Sequence, residues 1–223
     1  MLFTGFTPQT SEYFIKMNMD NSKAHFEENR DLYTQHVKQI LRALHEELVP
    51  AMLSIDGEIC VRQARCVSGA YNDARFSRNE PIKTYMYLHY CSETGRDSDV
   101  PGFFMDASHE GYRFGLQIYH RTARGMQALR EAALNDAKHF SRLVDTVDTS
   151  EMFVLEGTDY KRDHFLDASG RIRHWLNKKS WWIGCSRNID DAFLSDALAN
   201  DLTEGFLFLS DIYFFMLNSL KGV

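Results

Sequence analysis

The order in which two periodicities occur constrains this fold more than any composition figure. From Phe26 onward, Tyr33, Val37, Ile40, Leu44 and Leu48 recur at intervals of seven, four, three, four and four, the stripe of a half-buried helix. That period stops before Glu58, and β-rich runs follow over 58–67, 81–91 and 103–106, then over 111–120 beyond a turn at Ser108-His109-Glu110. Helical spacing returns over 122–147 and 189–220. Helices, then consecutive strands, then helices predict an α+β fold with a mainly antiparallel central sheet, flanked by N-terminal, middle and C-terminal helices. The central strands are expected at Ile59 to Val67, Ile82 to Cys91 and Tyr112 to Tyr119.

Local punctuation supplies the boundaries. Thr7-Pro8 reads as N-cap and first helical position of a helix to about Met17, and Asp20 or Asn21 as the cap of the longer helix. Pro50 is expected to end or kink that helix. Residues 93–102 hold two Gly, a Pro and several charges and read as an exposed loop. A break is expected near Asp136. A short strand is expected over 152–155, a short helix over 171–178 and another strand over 180–185. The final helical run should bend around Gly205. With 223 residues, no internal repeat and no proline-rich linker, residues 1–223 are read as a single domain.

Composition excludes some functions. A net charge of −6 argues against a general nucleic-acid binder, which needs a cationic surface. The N-terminus has no basic and apolar leader, and the stretch 205–220 is too short and polar to span a bilayer. Cys60, Cys66, Cys91 and Cys185 fit no CxxC pattern. The expectation is a reduced cytoplasmic protein away from membranes, with its oligomeric state left open.

Metal and cofactor patterns are also lacking. His36 and His45 stand on opposite faces of one helix, His45 to Val49 fails the HExxH pattern, and His89 with Cys91 offers two ligands only. No glycine-rich phosphate loop occurs, and Ser77, Cys91 and Cys185 lie in no nucleophile elbow. Neither a metal nor a cofactor is expected. Trp175, Trp181 and Trp182 could form a stacking platform beside Lys178 and Lys179, but core and rim positions are the commoner outcome.

The segment Ala74 to Lys83 concentrates charge between two strand-like runs. Asp73, Arg75 and Lys83 could clamp an anion there, Arg75 offering the bidentate fork that suits carboxylate or phosphate. The alternative is an Asp73–Arg75 ion pair that only orders the loop, the commoner use of such residues.

Nearly the whole chain resembles the bacterial and fungal domain-of-unknown-function family 2461. Gly5-Phe6-Thr7-Pro8-Gln9-Thr10 is similar to its opening, and the stretch from Asp20 to Phe26, followed by Tyr33, to its next block. Asn72 to Lys83 is similar to its central R-D-x-RFS-x-D-K-x-PYK signature. Later matches are Gly111-Tyr112-Arg113-Phe114-Gly115, Leu129-Arg130, Glu156 to Arg162 and Trp175 to Lys179. This chain departs from the pattern at His25, Asn72, Glu80 and Ile82, so two cations are lost from the signature. The resemblance implies an α+β fold and no established activity. It adds Arg130, Lys161 and Lys179 as residues that could converge with Tyr71, Asp73, Arg75, Lys83 and Tyr119. Two readings follow: a pocket for an anionic small molecule, with catalysis undecided, or a non-catalytic interaction protein. In the second, the basic motif orders a loop and Phe103, Phe104 or Trp182 docks a partner.

Overall fold

The computed structural model describes residues 2–75, 77, 79–93, 99–119 and 122–221, and of Tyr119 the backbone. A five-stranded antiparallel sheet has the order β1-β2-β3-β5-β4. Its strands are β1 (Met86–Tyr90), β2 (Val100–Ala107), β3 (Tyr112–Tyr119), β4 (Val154–Glu156) and β5 (Trp182–Arg187). With helices before, between and after the strands, this is the α+β class that the sequence order predicts. The contacts gather into two units. The first holds Met1–Tyr90, Phe104–Phe114 and Ser186–Glu204, and the second Cys91–Phe103, Gly115–Cys185 and Gly205–Val223.

The first unit opens with α1 (Pro8–Met19), whose Pro8 needs no hydrogen-bond partner at a helix start. Then come α2 (Lys23–Glu28), α3 (Arg30–Tyr33), a π-helical turn over Thr34–Lys38, and α4 (Gln39–Ile55). Ser22 caps α2 in place of Asp20 or Asn21, its Oγ accepting the His25 amide at 3.1 Å. Asn21 is occupied elsewhere. Its side chain accepts the Ile82 amide and donates to the Ile82 carbonyl, both at 2.9 Å. All six stripe residues from Phe26 to Leu48 are buried. Pro50 does not end the helix, which continues to Ile55. Pro50 is exposed, so water can take up the carbonyl it leaves unpaired, while Met52 and Ile55 are buried and anchor the last turn.

The expected strand at 59–67 is also corrected. Gln63–Cys66 form a turn of helix, α5, and Val67 makes an isolated bridge to Leu88. Two adjacent residues, Ile59 and Cys60, are both buried. A strand with one solvated face cannot bury neighbours on both sides, so the chain turns instead. Ile82 likewise precedes the sheet, in a bridge to Tyr71.

In the second unit, α6 (Ala123–Asn135) and α7 (Ala137–Asp148) meet at the expected break. The Asp136 carboxylate caps α7 by accepting the His139 amide at 3.1 Å. β2 starts at Val100, inside the segment read as loop. The short helix is α8 (Gly170–Asn177). The last helical run starts later than expected, as α9 (Ala197–Phe208), and breaks at Leu209 before α10 (Ser210–Ser219), with Gly205 inside α9. Trp175 and Trp181 are core residues. Phe140 stacks on Trp181 at 5.3 Å, and the Trp181 indole donates to the Trp175 carbonyl at 2.7 Å. Phe103 packs against Phe206 and Tyr213, and Phe104 is buried as well, so neither presents a docking surface.

Candidate functional site

Asp73, Arg75 and Lys83 spend their charges within the 71–83 segment. The Arg75 guanidinium donates to both Asp73 oxygens at 2.5–3.1 Å, and the Arg75 amide adds a bond of 2.9 Å to Oδ1. Those bonds hold the Asp73 carboxyl down at about 2. The Arg75 side chain is nevertheless 80% exposed, far from the water-poor setting an anion clamp needs. The Lys83 ammonium donates to the Tyr71 carbonyl, and burial lowers its pKa against the opposing pull of Asp73. Asn72 stitches the loop, donating to the Glu80 carbonyl at 2.8 Å and the Ile82 carbonyl at 3.2 Å. Tyr71 is exposed and edge-on to Phe26. Phe76 and Arg78 lie outside the described residues.

Arg130, Lys161 and Lys179 belong to the second unit. Arg130 is buried, and its guanidinium donates to the carbonyls of Leu176 at 3.0 Å and Lys178 at 2.8 Å. These carbonyls close the C-terminus of α8, where the helix dipole favours a cation. The guanidinium also lies over the Tyr160 ring at 5.3 Å, and the Lys179 ammonium is 6.0 Å from the same ring. Lys179 and Lys161 are exposed. Arg130 and Lys179 thus meet around Tyr160, with Arg130 serving as a helix clasp. The side chain of Tyr119 lies outside the described residues.

The first unit also contains a cleft of about 890 Å³ beside the β2–β3 hairpin, among whose lining residues are Tyr85, Asp106, His109, Arg113, Ser186 and Asn188. The hairpin closes where the Ser108 amide bonds the Gly111 carbonyl at 2.9 Å. Counting outward from that pair sets Asp106 opposite Arg113. Arg113 Nε donates to Asp106 Oδ1 at 3.1 Å and Nη2 to Oδ2 at 2.9 Å, a fork on a carboxylate. On either side along the same face of β3 stand Gly111 and Gly115. A Cβ at Gly111 would run into the Arg187 carbonyl oxygen, and one at Gly115 into that of Ile183.

The other face of β3 turns inward. Tyr112 and Phe114 are buried, and the Tyr112 hydroxyl donates to Asp190 at 3.1–3.2 Å. Burial pushes that phenol up to about 12. Arg187 pairs with Asp201 of α9 and lies over the Phe114 ring at 5.8 Å.

Asp106 is the perturbed carboxyl of the cleft. Burial raises its pKa, and the two bonds from Arg113 offset that only in part. A carboxyl raised by burial and gripped by one specific cation, at the wall of a cleft, makes Asp106 a candidate for binding or proton transfer. Asp106 and Glu110 balance Arg113 and Arg187, so the lining carries no excess charge. Sequence reasoning read Gly111 to Gly115 as strand and as a match to the family pattern, and named no site residue in it. The available signal was a charged residue flanked by glycines at i±2, opposite an acid at the register that the turn dictates.

Among the described residues no group of three His, Cys, Asp or Glu side chains is placed to hold a metal ion. Among the described residues no helix is long and apolar enough to cross a membrane either. No curated protein matches the chain. A family match covers residues 9–215, nearly the whole sequence, and the chain belongs to the conserved hypothetical protein family DUF2461.

Proposed function

We propose that this protein binds a small polar molecule in the hairpin cleft, with the Asp106–Arg113 pair as its recognition group. The observation that carries the reading is the forked pair itself, at the wall of a cleft of about 890 Å³, with Asp106 raised by burial. A carboxylate whose oxygens each accept one bond from Arg113 keeps lone pairs for ligand donors. The Arg75 motif serves as loop order on this reading, since Asp73 already neutralises its fork. An anionic ligand is disfavoured, because the Arg113 and Arg187 guanidinia already face carboxylates. Four buried cysteines, none of them in a disulfide, support a reducing, cytoplasmic setting.

A thermal-shift screen of polar metabolites on wild type, Asp106→Asn and Arg113→Met tests the site. At least one compound should stabilise wild type and lose its effect in both variants. Stabilisation that persists in both would place binding elsewhere.

A further inference from the structure

We propose that the second unit carries a separate site for a small zwitterion, an α-amino acid, held between one face of α8 and the loop that joins β4 to it. A cleft of about 370 Å³ is lined there by Gly170, Arg173, His174 and Asn177 together with Asp159 and Asp163. The four helix positions run i, i+3, i+4 and i+7, so α8 turns one polar face to the cleft while Ile172, Trp175 and Leu176 are buried. The 156–162 and 175–179 stretches, both part of the family resemblance, are tied together here. The Tyr160 amide donates to the Asn177 carbonyl at 2.9 Å, and the Lys179 amide to the Thr158 carbonyl at 2.7 Å.

Three of these side chains have unmet demands. Asn177 is only 6% exposed, and its Oδ1 accepts the His164 amide at 3.0 Å. That bond fixes which end is oxygen, and the Nδ2 donor has no partner among the described residues. Arg173 Nη2 donates to the carbonyls of Leu166 at 2.7 Å and Ala168 at 3.1 Å. Its Nε is sealed without an acceptor, and no described carboxylate pairs with the guanidinium, so its charge stays open to an anionic group in the cleft. Asp163 is exposed and pairs with no described cation. Asp159 differs, since buried Lys178 holds it at 3.1 Å. The lining thus offers a free donor, an unpaired cation and an unpaired anion, with no net charge. A carboxylate takes the Asn177 amide and the Arg173 charge, and an ammonium takes Asp163. A ligand of one sign meets attraction at one end and repulsion at the other, whereas a zwitterion is attracted at both.

The test uses the full chain, ¹⁵N-labelled, titrated separately with glycine, L-glutamine, acetate and ethylammonium. The expected result is saturable shifts of the Asn177 side-chain amide and of the Asp163 and His174 backbone amides with glycine or L-glutamine. Acetate and ethylammonium should bind more weakly by roughly tenfold or more. Asp163→Asn, at an exposed position, should keep the wild-type melting temperature, lose amino-acid affinity by a similar factor and still bind acetate. Asn177→Asp keeps the acceptor for the His164 amide and removes the donor, so it should abolish the His174 shift with both glycine and acetate. Asp163→Asn decides the matter alone if Asn177→Asp does not fold. If acetate or ethylammonium matches glycine, the zwitterion assignment is overturned. If none of the four moves these amides, or shifts fall only at Asp106 and Arg113 of the hairpin cleft, the site itself is overturned. Amino-acid binding unchanged in Asp163→Asn overturns the role of its carboxylate.

Discussion

Asp106 on β2 and Arg113 on β3 stand opposite each other across one rung of a hairpin, joined by bonds of 3.1 and 2.9 Å. Their side chains keep 25% and 41% exposure, so this pair is neither a surface ornament nor a sealed core contact. It is held in place and keeps part of its surface open to solvent.

The raised pKa of Asp106 gives a signed expectation. A carboxyl whose folded pKa exceeds its unfolded value weakens the fold when ionised, and that penalty is full above the folded pKa. It fades as pH falls through the folded pKa toward the ordinary 3.8. Asp106→Asn removes the titration, so the variant should gain stability relative to wild type on going from pH 4 to pH 7. Urea unfolding at the two pH values measures this, and a flat or reversed difference contradicts the burial of Asp106.

Asp73 has the opposite sign. Its pKa falls from 3.8 to about 2, so its pairing with Arg75 is fully present above 3.8 and lost as pH drops toward 2. Both groups are exposed, and salt screens them. Arg75→Ala should leave the neutral-pH melting temperature and all ligand binding close to wild type, with a shallower acid limb. A large loss of ligand affinity in this variant would restore the anion clamp.

Arg130 should behave otherwise. Arg130→Ala removes two charge-assisted bonds to the closing carbonyls of α8 and opens a void under Tyr160. A loss of about 3 kcal/mol is expected, or roughly 6–12 °C in a chain of this size. Arg130→Lys should recover little, because a single ammonium cannot reproduce the fork. Differential scanning calorimetry of both variants decides it.

Gly111→Ala drives a methyl group into the Arg187 carbonyl, a backbone atom that cannot swing aside. The expected cost is about 1–3 kcal/mol. Gly57→Ala, where a Cβ meets nothing within 4 Å, is the control and should cost much less.

The architecture was legible wherever one period ran uninterrupted. The stripe from Phe26 to Leu48, β3 over Tyr112–Tyr119 and the break at Asp136 each follow from spacing or cap chemistry alone. The misses arose where tertiary demands overrode local preference. Ile59 and Cys60 are both pulled inward, so the chain turns through Gln63–Cys66, and buried neighbours carry α4 past Pro50. The site was hidden for another reason. Cations attract the eye in sequence, but whether a cation is spent depends on partners that only folding supplies: Asp73 for Arg75, the α8 carbonyls for Arg130. The informative cation, Arg113, was legible only through the register set by Ser108 and Gly111.

Two residues before and two after Arg113 stand Gly111 and Gly115, where carbonyls of β5 leave no room for a side chain. Such a surface offers mutation almost nothing to vary. Sequence change that alters this cleft has to fall instead on lining positions that carry side chains, such as Asn18, Tyr85, His109 or Asn188.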